Sequence, residues 1–224
     1  RVVHGRFNFG GGMDSIMLAN IFFNDISVMP IVLEEGEVML DIGETQQSAT
    51  GTPLNDTLSG FILRKTQLDA RMAELPRLES RMIMDGADYD EIAYELGKQS
   101  KEIAAENDQL ITRFIRANYN NVLGPGIFMI LTSSLPYPIL NPQLEEIITD
   151  APPYFLGHPY VKDYIQKAKE LEEERLKELR EQAQEQLLAD MDDQLEQINE
   201  KFDKLLDRIN KMCGRSNYLK RKDS

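Results

Sequence analysis

Three glutamates beside a glycine are the first residues whose types and spacing could do chemistry. Glu34, Glu35 and Glu37 surround Gly36. Two carboxylates that face each other across a cleft can act as general acid and general base when one has a raised pKa. Here the residues fall at the predicted tip of a β-hairpin, where adjacent side chains point to opposite faces and stay in water. We therefore expect solvated surface carboxylates rather than a catalytic pair.

Two other stretches are compatible with loops that bind phosphate or calcium. Residues 10–12 are three glycines, but a phosphate loop needs a helix after it, and the following run predicts a strand. Residues 85–91 are rich in aspartate. They lack the ligand order of an EF-hand loop, and acidic residues are also favoured at a helix N-terminus. We predict a hairpin turn at the first stretch, a helix start at the second, and no cofactor at either.

The chain has few residues suited to metal binding or nucleophilic catalysis. His4 and His158 are its two histidines, and Cys213 is its one cysteine. None has a partner at ligand or triad spacing, so neither a structural zinc site nor a nucleophilic centre is predicted. One cysteine also excludes an internal disulfide and a C-x-x-C pair. We predict no catalytic, cofactor-binding or metal-binding residue, and we expect that the chain is not an enzyme.

The charge of the chain argues against two further classes of partner. Its 224 residues include 25 basic and 38 acidic side chains, which give a net charge of −13. Such a charge disfavours binding to nucleic acid or to an anionic membrane surface. No apolar run reaches the roughly 18 residues expected of a membrane-spanning helix. With 42% hydrophobic residues, the chain can bury the core of one or two domains.

An N-terminal set of β-strands must hold the glutamates and the glycines. Residues 29–33 and 38–42 are two apolar runs around Gly36, which is the pattern of a β-hairpin. Alternation over residues 3–9 and an apolar run at 16–23 predict two more strands, the second one buried. Because the alternation is under way at the first residue, we expect further strands in preceding sequence, with room for a signal peptide or a lipid anchor.

Helices replace strands from residue 53 onward. Gly51 and Pro53 end the sheet, and Asn55 or Asp56 is predicted to cap the first helix. Apolar residues then recur at three- and four-residue spacing, which predicts a helix that kinks or ends at Pro76. Three more helices are expected at residues 89–118, at 127–135 and at 144–148. The second of them is expected to be buried, and Asn120–Asn121 together with the glycine–proline run at 124–126 is predicted to separate it from the first.

The final element, from about Pro159 to Met212, is predicted to be a long helix with an apolar stripe. Positions on the stripe alternate in steps of three and four residues, which is the heptad pattern of a coiled coil. Charged residues at i,i+4 spacing, such as Glu173–Lys177, add a little helix stability, as do two further pairs, Glu200–Lys204 and Asp207–Lys211. The predicted oligomerisation residues, which we call the seam, are Leu188, Met191, Leu195, Ile198, Phe202, Leu205, Ile209 and Met212.

The sequence leaves the partner of the seam open. Homo-oligomerisation through this helix is the leading expectation. Upstream of the seam, apolar residues step by three, four and four around Ala183, so the heptad slips there. The seam could instead fold back on the chain's own helices through a break at that point, or bind a different protein.

The residues also carry a resemblance to a known domain. Residues 5–10, 29–36 and 51–56 resemble a domain of unknown function that precedes a thioredoxin-like domain in extracytoplasmic thiol–disulfide oxidoreductases of Bacteroidetes. The helical part, at 114–118 and 126–128, and the exit at 158–162 resemble the same family, so the likeness covers about residues 1–168. The resemblance implies this family's fold and a periplasmic or cell-surface location. It also implies that the parent protein could be a lipoprotein, held by an N-terminal lipid anchor outside this sequence.

The chain departs from that family where the redox chemistry would lie. Relatives continue into a thioredoxin-like domain with a C-x-x-C site, whereas this chain continues into the long helix. No catalytic residue can be transferred, because the domain that holds such residues is absent from the sequence. The strands that open the domain in this family are also missing, as would be expected if this sequence is truncated at its N-terminus.

The sequence as a whole predicts an α+β fold. Its parts are an N-terminal antiparallel β-sandwich (partly truncated), a helical region and a long C-terminal coiled-coil-like helix. The expected segments are 1–52, part of the β-sandwich; 53–158, a helical region packed with it; 159–213, the long helix; and 214–224, a flexible basic tail.

The leading functional hypothesis is a non-enzymatic cell-envelope protein, a binding or spacing module whose helix mediates assembly with itself or with an envelope partner. One alternative is an accessory module that docks onto a separate thioredoxin-like oxidoreductase. Another is a carbohydrate- or peptide-binding lipoprotein, which rests on the sandwich class alone.

Overall fold

The structure is a computed structural model that describes residues 6–23, 25–43 and 47–220, with side chains for 6–22, 25–43 and 47–211. The chain divides into two compact units, residues 1–169 and residues 170–224. The first unit contains the strands and most of the helices, and the second consists of one helical segment.

Two antiparallel strand pairs form the β part of the first unit. β1 (Met17–Phe23) pairs with β2 (Ile26–Leu33), with a register shift between Ile21 and Phe22. Asp25, at the turn between them, has a φ of 62°, a conformation that aspartate tolerates better than most residues. β3 (Met39–Ile42) pairs with β4 (Gln47–Thr50).

The predicted hairpin around Gly36 is wrong in its pairing. β2 pairs with β1 and β3 pairs with β4, so the segment around Gly36 connects two sheets. The prediction of a turn at this glycine is confirmed, because its φ is +131°. Apolar runs on either side of a turn indicate where the chain reverses, but they do not determine which strands share hydrogen bonds.

The strand predicted at residues 3–9 is not present over its described part. Residues 1–5 lie outside the described residues, and residues 7–13 have no regular secondary structure and are exposed. The prediction of a strand at 16–23 is confirmed by β1, but its burial is not. Phe22 is 61% exposed and Met17 is 45% exposed, so β1 is an edge strand with one face in water.

Three helices follow the strands. α1 (Pro53–Ala73), α2 (Leu75–Met84) and α3 (Tyr89–Ala117) pack side by side, with contacts from both α1 and α2 to α3. The break between α1 and α2 falls at Glu74, and Pro76 lies in the first turn of α2, where its missing N–H has no helical partner to lose. The predicted interruption at Pro76 is therefore confirmed to within two residues.

Four more helices complete the described part of the chain: α4 (Leu123–Ser133), α5 (Pro142–Thr149), α6 (Pro153–Leu156) and α7 (Pro159–Lys220). The predicted break after α3 is confirmed at Asn120–Asn121, which lie between the two helices. Its second part is wrong, since residues 124–126 belong to the first turn of α4. Close packing explains the glycines: a Cβ on Gly124 would collide with the carbonyl oxygen of Asn118, and one on Gly126 would lie 2.5 Å from Leu18. α7 also extends past the predicted end at Met212, to Lys220.

The first unit has a main core and a smaller one. The main core joins α1, α3, α4, α5, α6 and the start of α7 to Val32 of β2. Its largest fully buried side chains include Phe128, Phe155, Leu123 and Leu144. In the smaller core, Met29 and Ile31 of one sheet cluster with Ala49 of the other. The α+β class is confirmed as two small antiparallel sheets, a helical region and a long final helix.

Candidate functional site

The seam of α7 is an exposed apolar stripe at helical spacing. Its described members, from Leu188 to Ile209, are each between 49% and 60% exposed. Every described side chain from residue 170 to residue 211 is exposed. Met212, the last predicted member, lies outside the residues whose side chains are described. In the described part of this segment, the helix therefore presents a stripe of large apolar side chains to solvent.

Two ion pairs of the same segment lie on the faces opposite the seam. Lys204 Nζ is 3.4 Å from Glu200, and Lys211 Nζ is 2.6 Å from Asp207. In the heptad that starts at Leu188, these four residues occupy positions c and f, away from the a and d positions of the seam. The third predicted pair, Glu173–Lys177, is not observed, because Lys177 lies instead 3.9 Å from Glu181. An ion pair of the exposed Lys177 with Glu173 or with Glu181 would differ little in free energy.

Glu34, the first candidate acid, stabilises the start of a helix. Its Oε1 accepts hydrogen bonds from the backbone N–H groups of Leu54 and Asn55, at 2.9 and 3.1 Å. These N–H groups belong to the first turn of α1 and have no partner inside the helix. A carboxylate at this position is also favoured by the helix dipole. The prediction that Glu34 is a solvated hairpin-tip residue is wrong, because the fold brings the tip against α1.

Asn55 connects the same helix to β2. Its Oδ1 accepts from the Val32 N–H at 2.9 Å, and its Nδ2 donates to the Val32 carbonyl at 2.7 Å. The side chain is fully buried and pairs with the free edge of β2 as a neighbouring strand would. The predicted capping role is therefore wrong: Thr52 is the N-cap residue, and Asn55 pairs with the strand. Asp56, the other candidate, accepts from the Gly51 N–H.

These contacts decide what the glutamates can do chemically. Glu34 is occupied by three N–H donors, while Glu35 and Glu37 are exposed. The arrangement is that of a structural junction between β2 and α1.

An open groove of about 890 Å³ lies beside this junction. It is lined by residues 6–13 and by parts of β2, β3 and the segment between them. The Phe7 and Phe9 rings stack with centroids 5.9 Å apart, and Phe9 is 67% exposed. Arg6 adds one positive charge to the lining, and Glu34 and Glu37 add two negative charges. The sequence analysis missed this groove, because alternation over residues 3–9 indicated a strand instead.

The remaining candidates show no ligand site. Asp88 caps α3 by accepting from the Tyr89 N–H at 2.9 Å, so the predicted helix start is confirmed. Among the described residues, no cluster of three histidine, cysteine or acidic side chains could hold a metal ion. His158 is exposed. His4 and the side chain of Cys213 lie outside the part of the chain that is described.

Two tyrosines of the main core have shifted acidities. Burial raises the pKa of Tyr119, whose hydroxyl donates to the carbonyl of Ile147. Burial also raises the pKa of Tyr164, whose hydroxyl bonds to the backbone of Ile139. Neither hydroxyl lines the groove, so both act as structural hydrogen-bonding groups.

Comparison of the chain with family models, with curated proteins and with solved structures finds no match. Across the described residues, every helix is too short or too polar to traverse a bilayer. The resemblance to the Bacteroidetes domain therefore remains a prediction, and the function must be argued from the seam and the groove.

Proposed function

We propose that this chain is a non-enzymatic assembly protein of the cell envelope. In this proposal residues 1–169 form a binding or spacing module, and the seam of α7 holds copies or partners together. The observation that carries the proposal is the exposure of the seam. Seven consecutive a and d positions, all large and apolar, are half exposed in the single chain.

The energetics favour a partner for this stripe. Burying a large apolar side chain is worth about 1.5–3 kcal/mol relative to leaving it in water. The faces opposite the seam carry charged and amide side chains. Two further exposed leucines, Leu187 and Leu206, border the seam at positions g and e, so burial of the seam would cover them as well. Polar outer faces with a regular apolar seam are the arrangement of helices in coiled coils. The partner is a second copy of the chain or another envelope protein.

The direct test is light scattering coupled to size-exclusion chromatography. We expect the chain to run as an oligomer at micromolar concentration, and Leu195→Glu with Phe202→Glu to convert it to a monomer. The matched control is Gln186→Glu with Gln197→Glu, which adds the same charge at positions f and c and should leave the oligomer intact. A monomeric parent chain would contradict self-association, and pull-down from an envelope fraction would then look for a different partner.

The envelope location and the link to redox proteins rest on the resemblance. The accessory alternative predicts that the same pull-down recovers a thioredoxin-like oxidoreductase. The absence of enzymatic activity has its own test, since turnover in thiol–disulfide exchange needs an attacking and a resolving thiol, and the chain has one cysteine. We expect no reduction of insulin disulfides with dithiothreitol. Reduction that is abolished by Cys213→Ser would contradict the proposal.

We also infer that the two sheets belong to a β-sandwich. The support is the smaller core, in which buried Met29 and Ile31 of β2 meet Ala49 of β4. Partly buried Leu40 of β3 and Ile21 of β1 pack against the same cluster. Side chains from two sheets that share one core are the defining feature of a sandwich.

A second candidate function is favoured by the groove. Its stacked phenylalanine rings and its charged Arg6 and Glu37 combine apolar and polar contacts, as sites for small ligands do. This is the carbohydrate- or peptide-binding alternative. A glycan array and a peptide array probe it, with Phe9→Ala as the variant that should lose retention, and Phe22→Ala as a control because Phe22 is equally exposed on β1 but does not line the groove.

A further inference from the structure

Charge is distributed very unevenly along the seam segment of α7. Residues 181–200 contain seven acidic side chains and no lysine or arginine, which gives this half a net charge of −7. Residues 201–220 contain six basic and two acidic side chains, a net charge of +4. The acidic residues of the first half are Glu181, Glu185, Asp190, Asp192, Asp193, Glu196 and Glu200. The basic residues of the second half are Lys201, Lys204, Arg208, Lys211, Arg215 and Lys220.

The boundary between the two halves coincides with the centre of the seam. Residue 200 is equidistant from Leu188 and Met212. If a second helix runs in the opposite direction about this point, each a position meets a d position of the other copy, as antiparallel coiled coils require. All seam residues then find a partner: Leu188 with Met212, Met191 with Ile209, Leu195 with Leu205, and Ile198 with Phe202.

We propose that the seam binds a second copy of this chain in antiparallel orientation, centred on residue 200. This proposal rests on the assembly function proposed above and specifies its partner and geometry. In the antiparallel pair the acidic half of each helix lies along the basic half of the other. A parallel pair in register would place −7 beside −7 and +4 beside +4, and like charges on facing helices disfavour association.

The ion pairs within the helix do not remove this preference. Glu181 and Glu200, at the two ends of the acidic half, are paired with Lys177 and Lys204 of their own chain. The five acidic residues between them have no lysine or arginine within four residues in the sequence. These five carboxylates must therefore find their counter-charges on another chain or in the solvent. One contact opposes the arrangement, since Lys201 of both copies falls near the centre, but it is a single exposed pair.

Distances between spin labels test the orientation. Labels at Gln186→Cys and at Gln197→Cys, each in a Cys213→Ser background, occupy exposed f and c positions without altering the charge pattern. In the antiparallel pair the two labels should lie about 42 Å apart along the axis for position 186 and about 9 Å apart for position 197, at about 1.5 Å per residue. A parallel pair gives similar short distances at both positions and overturns this proposal while leaving self-association intact. Absence of any dipolar coupling overturns both.

Charge reversal tests the cause. Asp192→Lys with Asp193→Lys places positive charge beside the basic half of an antiparallel partner, so the dissociation constant should rise about tenfold at low salt and less at high salt. In a parallel pair the same change relieves repulsion between the acidic halves and should tighten binding, which would overturn the proposal. The pair Asp203→Asn with Asp207→Asn serves as a control of opposite sign, because it makes the basic half more positive and should tighten the antiparallel dimer.

Discussion

Leucine has two different roles in the two units of this protein. In residues 1–169, Leu58, Leu123 and Leu144 are at most 1% exposed, because strands and several helices converge on them. In the described part of residues 170–224, Leu188 and Leu195 are both 54% exposed, although they belong to a stripe with regular steps of three and four residues. Regular spacing makes a helix amphipathic, but only elements from elsewhere can bury its apolar face. The first unit supplies those elements within one chain.

This difference predicts two kinds of response to the same substitution. Leu144→Ala should lower the free energy of unfolding of the first unit by about 2–5 kcal/mol, because it removes buried methyl groups and leaves a cavity. Leu195→Ala should leave that unfolding free energy unchanged and should instead weaken self-association. Thermal unfolding at two protein concentrations, together with light scattering, separates the effects. Equal losses of thermal stability in both variants would contradict the comparison.

The next largest effect is expected at Asn55. Asn55→Ala should cost about 2–4 kcal/mol of unfolding free energy, because it leaves the buried N–H and carbonyl of Val32 without partners. Asn120→Ala is the matched control, since Asn120 is exposed, and should change stability by less than about 0.5 kcal/mol. Denaturant unfolding followed by circular dichroism measures both. A small effect at Asn55 would mean that the edge of β2 finds other partners.

The contrast between local and distant contacts also explains which predictions succeed. The spacing of apolar residues locates α3, predicted at 89–118 and observed at Tyr89–Ala117, and α5, predicted at 144–148 and observed at Pro142–Thr149. Helical periodicity is a local property, so these elements can be located from the sequence. The same is true of the heptad in α7, whose burial is a separate question.

Features that depend on distant residues could not be predicted in the same way. Glu34 and Asn55 are separated by 21 residues, and nothing in either local sequence shows that their hydrogen bonds will meet. The pairing of β2 with β1 rather than with β3 could not be predicted either, because the chain turns both before β2, at Asp25, and after it, at Gly36. Glycine disfavours a helix interior, so Gly124 and Gly126 predict a break. Only the fold shows how closely Asn118 and Leu18 approach them.

Gly36 offers a smaller test of the junction that those distant contacts build. Its φ of +131° suits glycine, and a Cβ there would lie 2.8 Å from Cγ2 of Thr52. Gly36→Val should therefore lower the unfolding free energy by about 1–2 kcal/mol. Gly97→Val is the control, because Gly97 lies in α3 with no atom within 4 Å of the added Cβ, and valine is tolerated in a helix at least as well as glycine. Equal melting temperatures for the two variants would place the strain elsewhere.

The smallest expected effect concerns the buried hydroxyl of Tyr119, which has a counterpart at the surface in Tyr154. Below pH about 10, Tyr119→Phe should cost about 1 kcal/mol, because the carbonyl of Ile147 loses its hydrogen bond. Burial raises the pKa of Tyr119, so the folded state favours the neutral phenol. This contribution to stability is complete below the pKa of an unfolded tyrosine, and it is lost as pH rises through the higher pKa of the folded state. The parent protein should therefore lose stability more steeply above pH about 10 than Tyr119→Phe does.

Tyr154→Phe is the control, since Tyr154 is 61% exposed, and should follow the parent at every pH. If the parent and Tyr119→Phe lose stability with the same slope in alkaline denaturant titrations, the buried hydroxyl ionises as easily in the folded core as in water.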